Sequence, residues 1–467
     1  FYDTLLNNAG WYERRWNVGE ADSLVVLHLM KKKVVYVSME GAGQKDGSSW
    51  SNALDGETAT ADGSTKLADA LDSASIGDEF WIQSGTYHAC SDYDVEKSFN
   101  LNSGVSIYGG FAGTEASLKQ RDTLQDPTVF SGNLQNDSIL EHFSHNIFIT
   151  NEQNTINRFI VLDNIHITNG NNSDHSGSAL HIGPASSIKL SHSNIYHNFG
   201  CAISNEGNFR SDYCMMDSNT VYGTQWDEGA AAFYNKQTGV TNICHCSISY
   251  NQSPNDGAVI NLGVVTIDSS RIQNNSALLS RIGAIRSNGV LCIYNSELSY
   301  NQSYKGISTI SAEGLFEMLH CEVNNNQSNL INPLYYWPQK SWAGLYESAH
   351  IKTYGDTKVS HCTFTHNSQT AGADGGCLHI NGRGFVNNCD FIENTGLGNS
   401  KSSFVQWGED TEESQSGGFG LQVVYNTQDN DGVGIHVEDG YVNVENCLFD
   451  RQFGEGGSSA SLRNGTL

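Results

Sequence analysis

Polar and apolar positions alternate with the period of a strand in a six-residue motif that occurs nine times after residue 190. The motif is Cys or Ser, any residue, an apolar residue, two variable residues and Asn, as in CSISYN ending at Asn251. Residues two apart on a strand share a face, so the small and apolar positions are predicted to face inward. Successive motifs end 21, 32, 24, 26, 25, 41, 27 and 58 residues apart, Gln452 replacing Asn in the last, which predicts stacked rungs of a solenoid.

A second strand signal precedes most copies of the motif, where Gly or Ser is followed by small and apolar residues, as in GAVIN at 257–261. A turn and a short alternating strand come next, such as VVTID at 264–268. Three short strands per rung without a helical period predict an all-β fold, a right-handed parallel β-helix. The segment 65–74 predicts a short helix, with Leu67, Leu71 and Ala74 on one face, that caps the first rung.

The alternation of GGAI-like and FxxN-like motifs resembles the passenger repeats of chlamydial polymorphic outer-membrane proteins. Residues 34–133 resemble the N-terminal segment of right-handed β-helix repeat proteins on the surface of Bacteroidetes, through YVSMEGAGQKDGSSWSNAL, LADALDSASIGDEFWIQSGTY and GVSIYGGFAGTEASLKQRD. The resemblance implies a cell-surface or secreted protein, and it carries no catalytic signature.

The same resemblance divides the chain into three parts. Residues 1–33 resemble the last strands of small β-sandwich repeats in long Bacteroidetes surface proteins, with an irregular N-terminal extension as the alternative. Residues 34–133 are expected to form the cap and the first rungs, and residues 134–467 the parallel β-helix. On this interpretation the chain is one module of a longer polypeptide. Its N-terminus does not have the pattern of a signal peptide, so the targeting signal is expected upstream.

Charge narrows the possible partners. The chain has 51 acidic and 25 basic residues, a net charge of −26, which disfavours nucleic acid and strongly anionic glycans. No apolar stretch reaches the length of a membrane span, so direct membrane insertion is not expected. A neutral glycan or a surface protein is the expected ligand.

Eleven cysteines raise the question of disulfides. Six of them occupy the inward small position of the motif, where other rungs have Ser: Cys214, Cys246, Cys321, Cys362, Cys389 and Cys447. Interchange with Ser indicates selection for volume, so we predict buried free thiols, with cystines as the alternative in an oxidising compartment. The repeated Asn is predicted to be a structural ladder, because Asn suits tight turns and bonds to its local backbone.

Specific chemistry is expected where the rungs differ, in three long loops at 220–228, 327–347 and 395–416. Insertions at one corner of a solenoid emerge along one edge, so these loops are predicted to share an edge. Their aromatic side chains suit stacking on sugar rings, with packing of the loops themselves as the alternative. The candidate ligand-binding residues are Trp226, Tyr335, Tyr336, Trp337, Trp342, Tyr346 and Trp407.

Carboxylates in the same loops are weak candidates for catalysis. Asp227 with Glu409 or Asp410 would suit an inverting glycoside hydrolase only if the loops brought the pair to about 6.5–9.5 Å. Asp429 and Asp431 are weak candidates for Ca²⁺ in what we expect to be a solvated turn, and no other cofactor is expected. The sequence favours a non-catalytic, adhesin-like or glycan-binding module. A polysaccharide lyase or glycoside hydrolase is the alternative.

Overall fold

The structure is a computed structural model, and it divides into two compact units, Phe1–Cys214 and Met215–Leu467, which are described separately. The described residues are 15–21, 24–30, 33–122, 127–151, 158–172, 176–222, 229–278, 282–303, 306–328, 349–369, 376–396, 435–438, 441–450, 453–454 and 460–463.

Within each unit, the rungs contribute parallel strands to four kinds of sheet, which we call a, b, c and d in chain order. Sheet a holds the Gly- or Ser-led strands, sheet b the alternating strands after the turn, and sheet c the strands of the six-residue motif. Sheet d is an addition to the three predicted strands, because two residues after the motif Asn also pair. Neighbouring rungs are in register, as shown by Val323 opposite Phe364 in sheet c.

In unit 1 the strands of sheet a are Phe99–Leu101, Phe148–Thr150, Leu180–Ile182 and Ile203–Asn205. Those of sheet b are Leu54–Asp55, Val34–Ser38, Glu79–Gln83, Ser106–Phe111, Phe159–Asp163, Ser187–Ser191 and Asn208–Asp212. Those of sheets c and d are Gly85–Tyr87, Thr128–Ser131, Ile165–Thr168 and Asn194–Tyr196, then Asn171–Asn172 and Phe199–Gly200. Outside these sheets, Arg15–Ala21 and Leu24–Met30 pair antiparallel, and 3₁₀ turns span Trp50–Asn52, Leu118–Gln120 and Leu140–His142.

In unit 2 the strands of sheet a are Phe233–Asn235, Val259–Asn261, Ile285–Ser287, Ile310–Ala312, Ile351–Thr353, Leu378–Ile380, Ile435–Glu438 and Ala460–Arg463. Those of sheet b are Val240–Cys244, Val264–Asp268, Val290–Tyr294, Phe316–Leu319, Thr357–Ser360, Arg383–Asn387 and Tyr441–Glu445. Those of sheet c are Met215–Asp217, Ser247–Ser249, Arg271–Gln273, Glu297–Ser299, Glu322–Asn324, Thr363–Thr365, Asp390–Ile392 and Leu448–Asp450. Those of sheet d are Gln252–Ser253, Ser276–Ala277, Gln302–Ser303, Gln327–Ser328, Ser368–Gln369, Thr395–Gly396 and Phe453–Gly454.

The predicted cap is an α-helix, Lys66–Asp72, in unit 1. Its apolar face buries Leu67 and Leu71 beside Phe99–Leu101, the terminal strand of sheet a. Asn102 Nδ2 donates to three carbonyls at the C-terminal end of the helix, at distances of 2.8 to 3.1 Å. The helix therefore covers an edge that would otherwise be open to pairing. Within the described residues, no helix has the length and apolarity needed to cross a membrane.

The motif positions lie inward, as the alternation predicted. The apolar third positions are fully buried: Ile195, Met216, Ile248, Ile272, Leu298, Val323, Phe364 and Phe391. Aromatic rings at this position stack between rungs, with Phe391 lying 4.6 Å from Phe364 and 4.9 Å from Phe449, centroid to centroid. Burial of each large apolar side chain contributes about 1.5–3 kcal/mol, so this column is a main source of stability.

All eleven cysteines of the chain lie among the described residues, and each has a thiol rather than a disulfide. All six motif cysteines are buried except Cys447, which is half-buried. Contact with Cys321 raises the pKa of Cys362 to about 12, and contact with Cys362 raises the pKa of Cys389 to about 12. The predicted burial is confirmed for five of the six motif cysteines, and the raised pKa values of Cys362 and Cys389 favour the thiol over the thiolate.

The motif asparagines of unit 2 form a continuous hydrogen-bonded ladder. The fully buried members are Asn219, Asn251, Asn275, Asn301, Asn326, Asn367 and Asn394. Nδ2 of each donates to Oδ1 of the next at 3.0 Å. From Asn251 onward, Nδ2 also donates to a carbonyl of the preceding rung, as from Asn301 to Ile272 at 2.9 Å. The structural ladder is confirmed, but these amides bond to neighbouring rungs rather than to their own turn.

Replacing one ladder residue should destabilise unit 2 strongly. Asn301→Ala leaves the backbone amide and Nδ2 of Asn275 and the carbonyl of Ile272 without the partners they have now. Each buried polar group left unpaired costs about 1–3 kcal/mol, so we expect the free energy of unfolding to fall by about 3–5 kcal/mol. Urea denaturation followed by circular dichroism measures the change.

The matched control is Gln273→Ala, which truncates a half-buried amide on the outward side of the adjacent strand of sheet c. We expect this control to change the free energy of unfolding by no more than about 0.5 kcal/mol. Equal effects of the two substitutions would show that the ladder does not carry the stability assigned to it.

Candidate functional site

The binding, catalytic and metal candidates from the sequence all lie outside the described residues. The aromatic candidates are Trp226, Tyr335, Tyr336, Trp337, Trp342, Tyr346 and Trp407, and the acidic candidates are Asp227, Glu409, Asp410, Asp429 and Asp431. Their roles stay predictions. The described ends of the loops, however, fix where each loop leaves the solenoid and where it returns.

All three loops make the same connection, from sheet d to sheet a of unit 2. The first begins beside Thr220, which bridges to Gln252 of sheet d. The second runs from Gln327–Ser328 to Ile351–Thr353, and the third from Thr395–Gly396 to Ile435–Glu438. The prediction that the long loops share one edge is confirmed for these points of departure.

The spacing of these points differs among the loops. The second and third leave two rungs apart along the ladder, about 10 Å at a rung spacing of about 4.8 Å. The first and third leave six rungs apart, about 29 Å. Trp337, Trp342 and Trp407 therefore belong to loops that start close together. Asp227 could approach Glu409 or Asp410 only if a loop ran back along several rungs.

Next to this edge, two tyrosines occupy strained backbone positions at the corner between sheets c and d. Tyr250 and Tyr300 have φ of 54° and 56°, in the left-handed region that disfavours bulky side chains. The alternate rungs have Asn274 and Asn325 at the same corner, with φ of 56° and 54°. Asn adopts this conformation with less strain. The tyrosines are 59% and 50% exposed, so burial of the rings does not account for Tyr at this strained corner.

The outward side of sheet d continues this surface with amide and hydroxyl groups. Gln252, Ser276, Gln302, Gln327 and Ser368 are in register on successive rungs and are half-buried. Their strand neighbours Ser253, Ala277, Ser303 and Ser328 are fully buried.

We call these corner and outward residues together the Tyr–Gln strip. Its members are Tyr250, Gln252, Asn274, Ser276, Tyr300, Gln302, Asn325, Gln327, His366 and Ser368. None of these ten has a carboxylate, but Glu393 occupies the same corner on the next rung, with φ of 52°. At one end, His366 pairs with Glu393 at 2.7 Å. Exposed rings beside neutral donors and acceptors are what a sugar requires for stacking and for hydroxyl hydrogen bonds. Sequence analysis missed the strip, because the position before the motif Asn looked variable.

Unit 1 has a second cluster that the sequence did not indicate, centred on the buried carboxylate of Asp163. Arg121 donates to its Oδ2 at 2.6 Å, while His192 Nδ1 and Ser191 Oγ lie 3.0 and 2.8 Å from its Oδ1. Burial alone would raise the pKa of Asp163, but the hydrogen bonds from Arg121, His192 and Ser191 outweigh it and hold that pKa below its usual value. Asp163 is therefore an ionised anchor for the imidazole.

The rest of the His192 imidazole faces solvent. Its side chain is 56% exposed, and the ring stacks on Tyr213 at 5.6 Å with an interplanar angle of 3°. With Nδ1 at the carboxylate, Nε2 is the nitrogen left for an external partner. Lys189 and Arg210 pair on neighbouring strands of sheet b and are exposed. An imidazole oriented in this way can accept a proton from a ligand.

Unit 2 has an ion-pair cluster on the outward face of sheet b. Glu317 accepts from Lys358 Nζ at 2.6 Å and from Tyr294 Oη at 2.9 Å. The bonds from Lys358 and Tyr294 lower the pKa of Glu317. Both donors are directed at the same carboxylate, so the cluster has the character of a structural ion pair across rungs.

The stacked parallel strands, together with the edge of long loops, define a right-handed parallel β-helix. A family model described as a right handed beta helix region matches residues 342–466. No curated protein matches the sequence significantly.

Two solved structures are similar to the chain. The crystal structure of pectate lyase Pel9A aligns with 89% of this chain and 78% of its own, at 11% identity and a TM-score of 0.31. The crystal structure of PfbA, a surface adhesin of Streptococcus pneumoniae, aligns with 85% of this chain and 90% of its own, at 11% identity and a TM-score of 0.37.

Proposed function

We propose that this chain is a non-catalytic glycan-binding module, adhesin-like in role, of a secreted or cell-surface protein. The observation that carries the proposal is the Tyr–Gln strip, in which the exposed rings of Tyr250 and Tyr300 lie beside half-buried amides and hydroxyls. The strip lies beside the edge from which the aromatic loops depart. A surface protein ligand is the alternative partner.

The proposal includes the rest of the polypeptide. Residues 1–33 would be the tail of a preceding β-sandwich module, residues 34–133 the cap with the first rungs, and residues 134–467 the β-helix. Other modules of the same chain would then supply targeting and anchoring at the bacterial surface.

The ligand that suits the strip is neutral. Net charge of −26 repels a polyanionic glycan at long range, whereas uncharged sugars meet no such barrier. Tyr250 and Tyr300 are two rungs apart, about 10 Å, so two sugar rings of one chain could each stack on a phenol. A glycan lying along the rungs would also reach the amides of Gln252 and Gln302.

The corner tyrosines provide the sharpest test. Changing Tyr250 and Tyr300 together to Asn installs the residue that this chain uses at the same corner in alternate rungs. Each stacked ring contributes about 0.5–1.5 kcal/mol beyond area burial, so affinity for a neutral glycan found on an array should fall about tenfold. Thermal stability should stay the same or rise, since backbone strain of about 1–3 kcal/mol per residue is partly relieved.

Tyr441→Asn is the control, because Tyr441 is 57% exposed but lies on sheet b. It should leave calorimetrically measured affinity unchanged. A folded double variant that binds as tightly as the parent would remove the strip from the site.

The loop tryptophans are tested separately. Trp337→Ala with Trp342→Ala should weaken binding about tenfold for the same stacking reason, while circular dichroism shows an intact solenoid. Unchanged affinity would assign these loops to packing and leave recognition to the strip alone.

The second candidate function is a carbohydrate-active enzyme, and the pairing of His192 with Asp163 is what favours it. In a polysaccharide lyase, a base such as His192 would take the proton next to the uronate carboxylate. The glycosidic C–O bond would then break as a C=C bond forms. Exposed Lys189 and Arg210 would neutralise the carboxylate locally, in spite of the overall charge.

Incubation with uronate polysaccharides distinguishes the two candidates. A lyase produces ultraviolet-absorbing unsaturated ends, and His192→Ala should then lower the rate at least 100-fold while Tyr441→Ala leaves it unchanged. A hydrolase would release reducing ends without this absorbance, with loss on Asp227→Asn or Asp410→Asn. If neither product forms on glycans that bind, the module is not catalytic toward them.

A further inference from the structure

Four cysteines of unit 2 lie at equivalent positions, each one residue before one of four consecutive strands of sheet c. They are Cys321, Cys362, Cys389 and Cys447, which we call the thiol ladder. The amide of Thr363 donates to the carbonyl of Cys321 at 2.9 Å, and the same bond recurs at 3.0 and 2.9 Å for the next two pairs. The four residues are therefore in register, one directly beside the next.

The thiols also share one orientation. Each Sγ lies 3.2 or 3.3 Å from the carbonyl two residues earlier in its own rung. Each also lies 3.5 to 3.8 Å from a carbonyl of the preceding rung. Because the side chains repeat with the backbone, their sulfur atoms are spaced by about one rung, near 4.8 Å.

This spacing distinguishes two reactions of paired thiols. A disulfide requires Cβ atoms about 3.8 Å apart, whereas Cβ atoms in register repeat at about 4.8 Å, so oxidation would have to draw two rungs together. With a bond length close to the roughly 2.3 Å of zinc–sulfur bonds, a cation bound linearly between two sulfurs spans about 4.6 Å. The ladder matches the second geometry without movement of the backbone.

We propose that the thiol ladder is a binding site for a soft monovalent cation, Cu(I) or Ag(I), held between thiolates of adjacent rungs. Thiolate ligands select soft cations, and the two ligands of each site come from a rigid scaffold. On binding, each S–H bond breaks, each sulfur forms a bond to the metal and each proton passes to solvent, so no electron is transferred.

The burial of the ladder predicts the order of loading. Cys447 is half-buried, whereas Cys321, Cys362 and Cys389 are buried. A cation from solvent therefore meets the Cys389–Cys447 pair first. At the opposite end the ladder stops at Ser296, whose hydroxyl is a poor ligand for a soft cation.

The test uses the whole reduced chain, titrated anaerobically with Ag(I) and then with Cu(I), and followed by native mass spectrometry and by the ultraviolet thiolate-to-metal band. We expect one to two bound ions and a raised melting temperature, since a ligand that binds the folded form stabilises it. The double variant Cys362→Ser with Cys389→Ser should lose the tight site, because it leaves no two adjacent thiols. Ser occupies this position in other rungs, so the variant is expected to fold.

Two further variants keep the result decisive. Cys292→Ser removes a half-buried thiol outside the ladder and should change nothing. Ser296→Cys extends the ladder by one rung and should raise the bound metal by up to one ion. Metal uptake unchanged in the double variant, or abolished in Cys292→Ser, would overturn the proposal. So would cystines in the ladder of the isolated protein, detected by alkylation under denaturing, non-reducing conditions.

Discussion

The register of the rungs in unit 2 depends on the buried asparagine ladder. Inward and outward alternation alone leaves register open, because a slip of two residues preserves every face. Hydrogen bonds of a buried side-chain amide restrict the register more strictly than this alternation does. Asn301 reaches Asn326 on one side and the carbonyl of Ile272 on the other, and both bonds form in only one alignment. A slipped rung would leave these groups unpaired in an apolar core, at a cost greater than that of any single apolar contact.

This constraint makes register independent of loop length. Asn251 and Asn275 are 24 residues apart, Asn326 and Asn367 are 41 apart, and both pairs keep the same 3.0 Å bond. An insertion between sheets d and a therefore changes the surface without disturbing the next rung. The same logic explains why the long loops concentrate at one connection: the motif re-establishes the alignment after each of them.

The sequence predicts the parts of this protein that repeat. The repeated spacing of small and apolar positions was sufficient to predict the rungs, the inward cysteines and the asparagine ladder. Each of these follows from the alternation of side chains along a strand. The cap was predicted at 65–74, but the helix ends at Asp72. Ser73 is its C-cap residue, and Ala74 lies beyond the helix. The asparagine ladder was predicted to have hydrogen bonds to its local backbone. In the structure, the side-chain amides bond to groups of the neighbouring rungs instead.

What the sequence did not predict depends on contacts between segments that no periodicity connects. Arg121 meets Asp163 across 42 residues and an irregular loop, so nothing local marks the pair. In the sequence, Tyr250 and Tyr300 fall at a position that varies among the motifs. What distinguishes them is the left-handed backbone conformation at that corner, which only the structure shows. The loop residues proposed for recognition lie outside the described residues, and their roles depend on the experiments rather than on geometry.

The amide-to-amide bonds of the ladder all run the same way, each Nδ2 donating to the Oδ1 of the next rung toward the C-terminal end of unit 2. Aligned amide dipoles polarise one another, so interior members are held more tightly than those at the end. Under tension applied from the C-terminus, such a stack yields from its last rung inward. A rung such as that from Asn301 to Asn326, 25 residues long, spans about 80 Å when extended, and the longer C-terminal rungs span more. A solenoid of this kind lengthens stepwise under load, while the rungs that remain keep their outward surface intact.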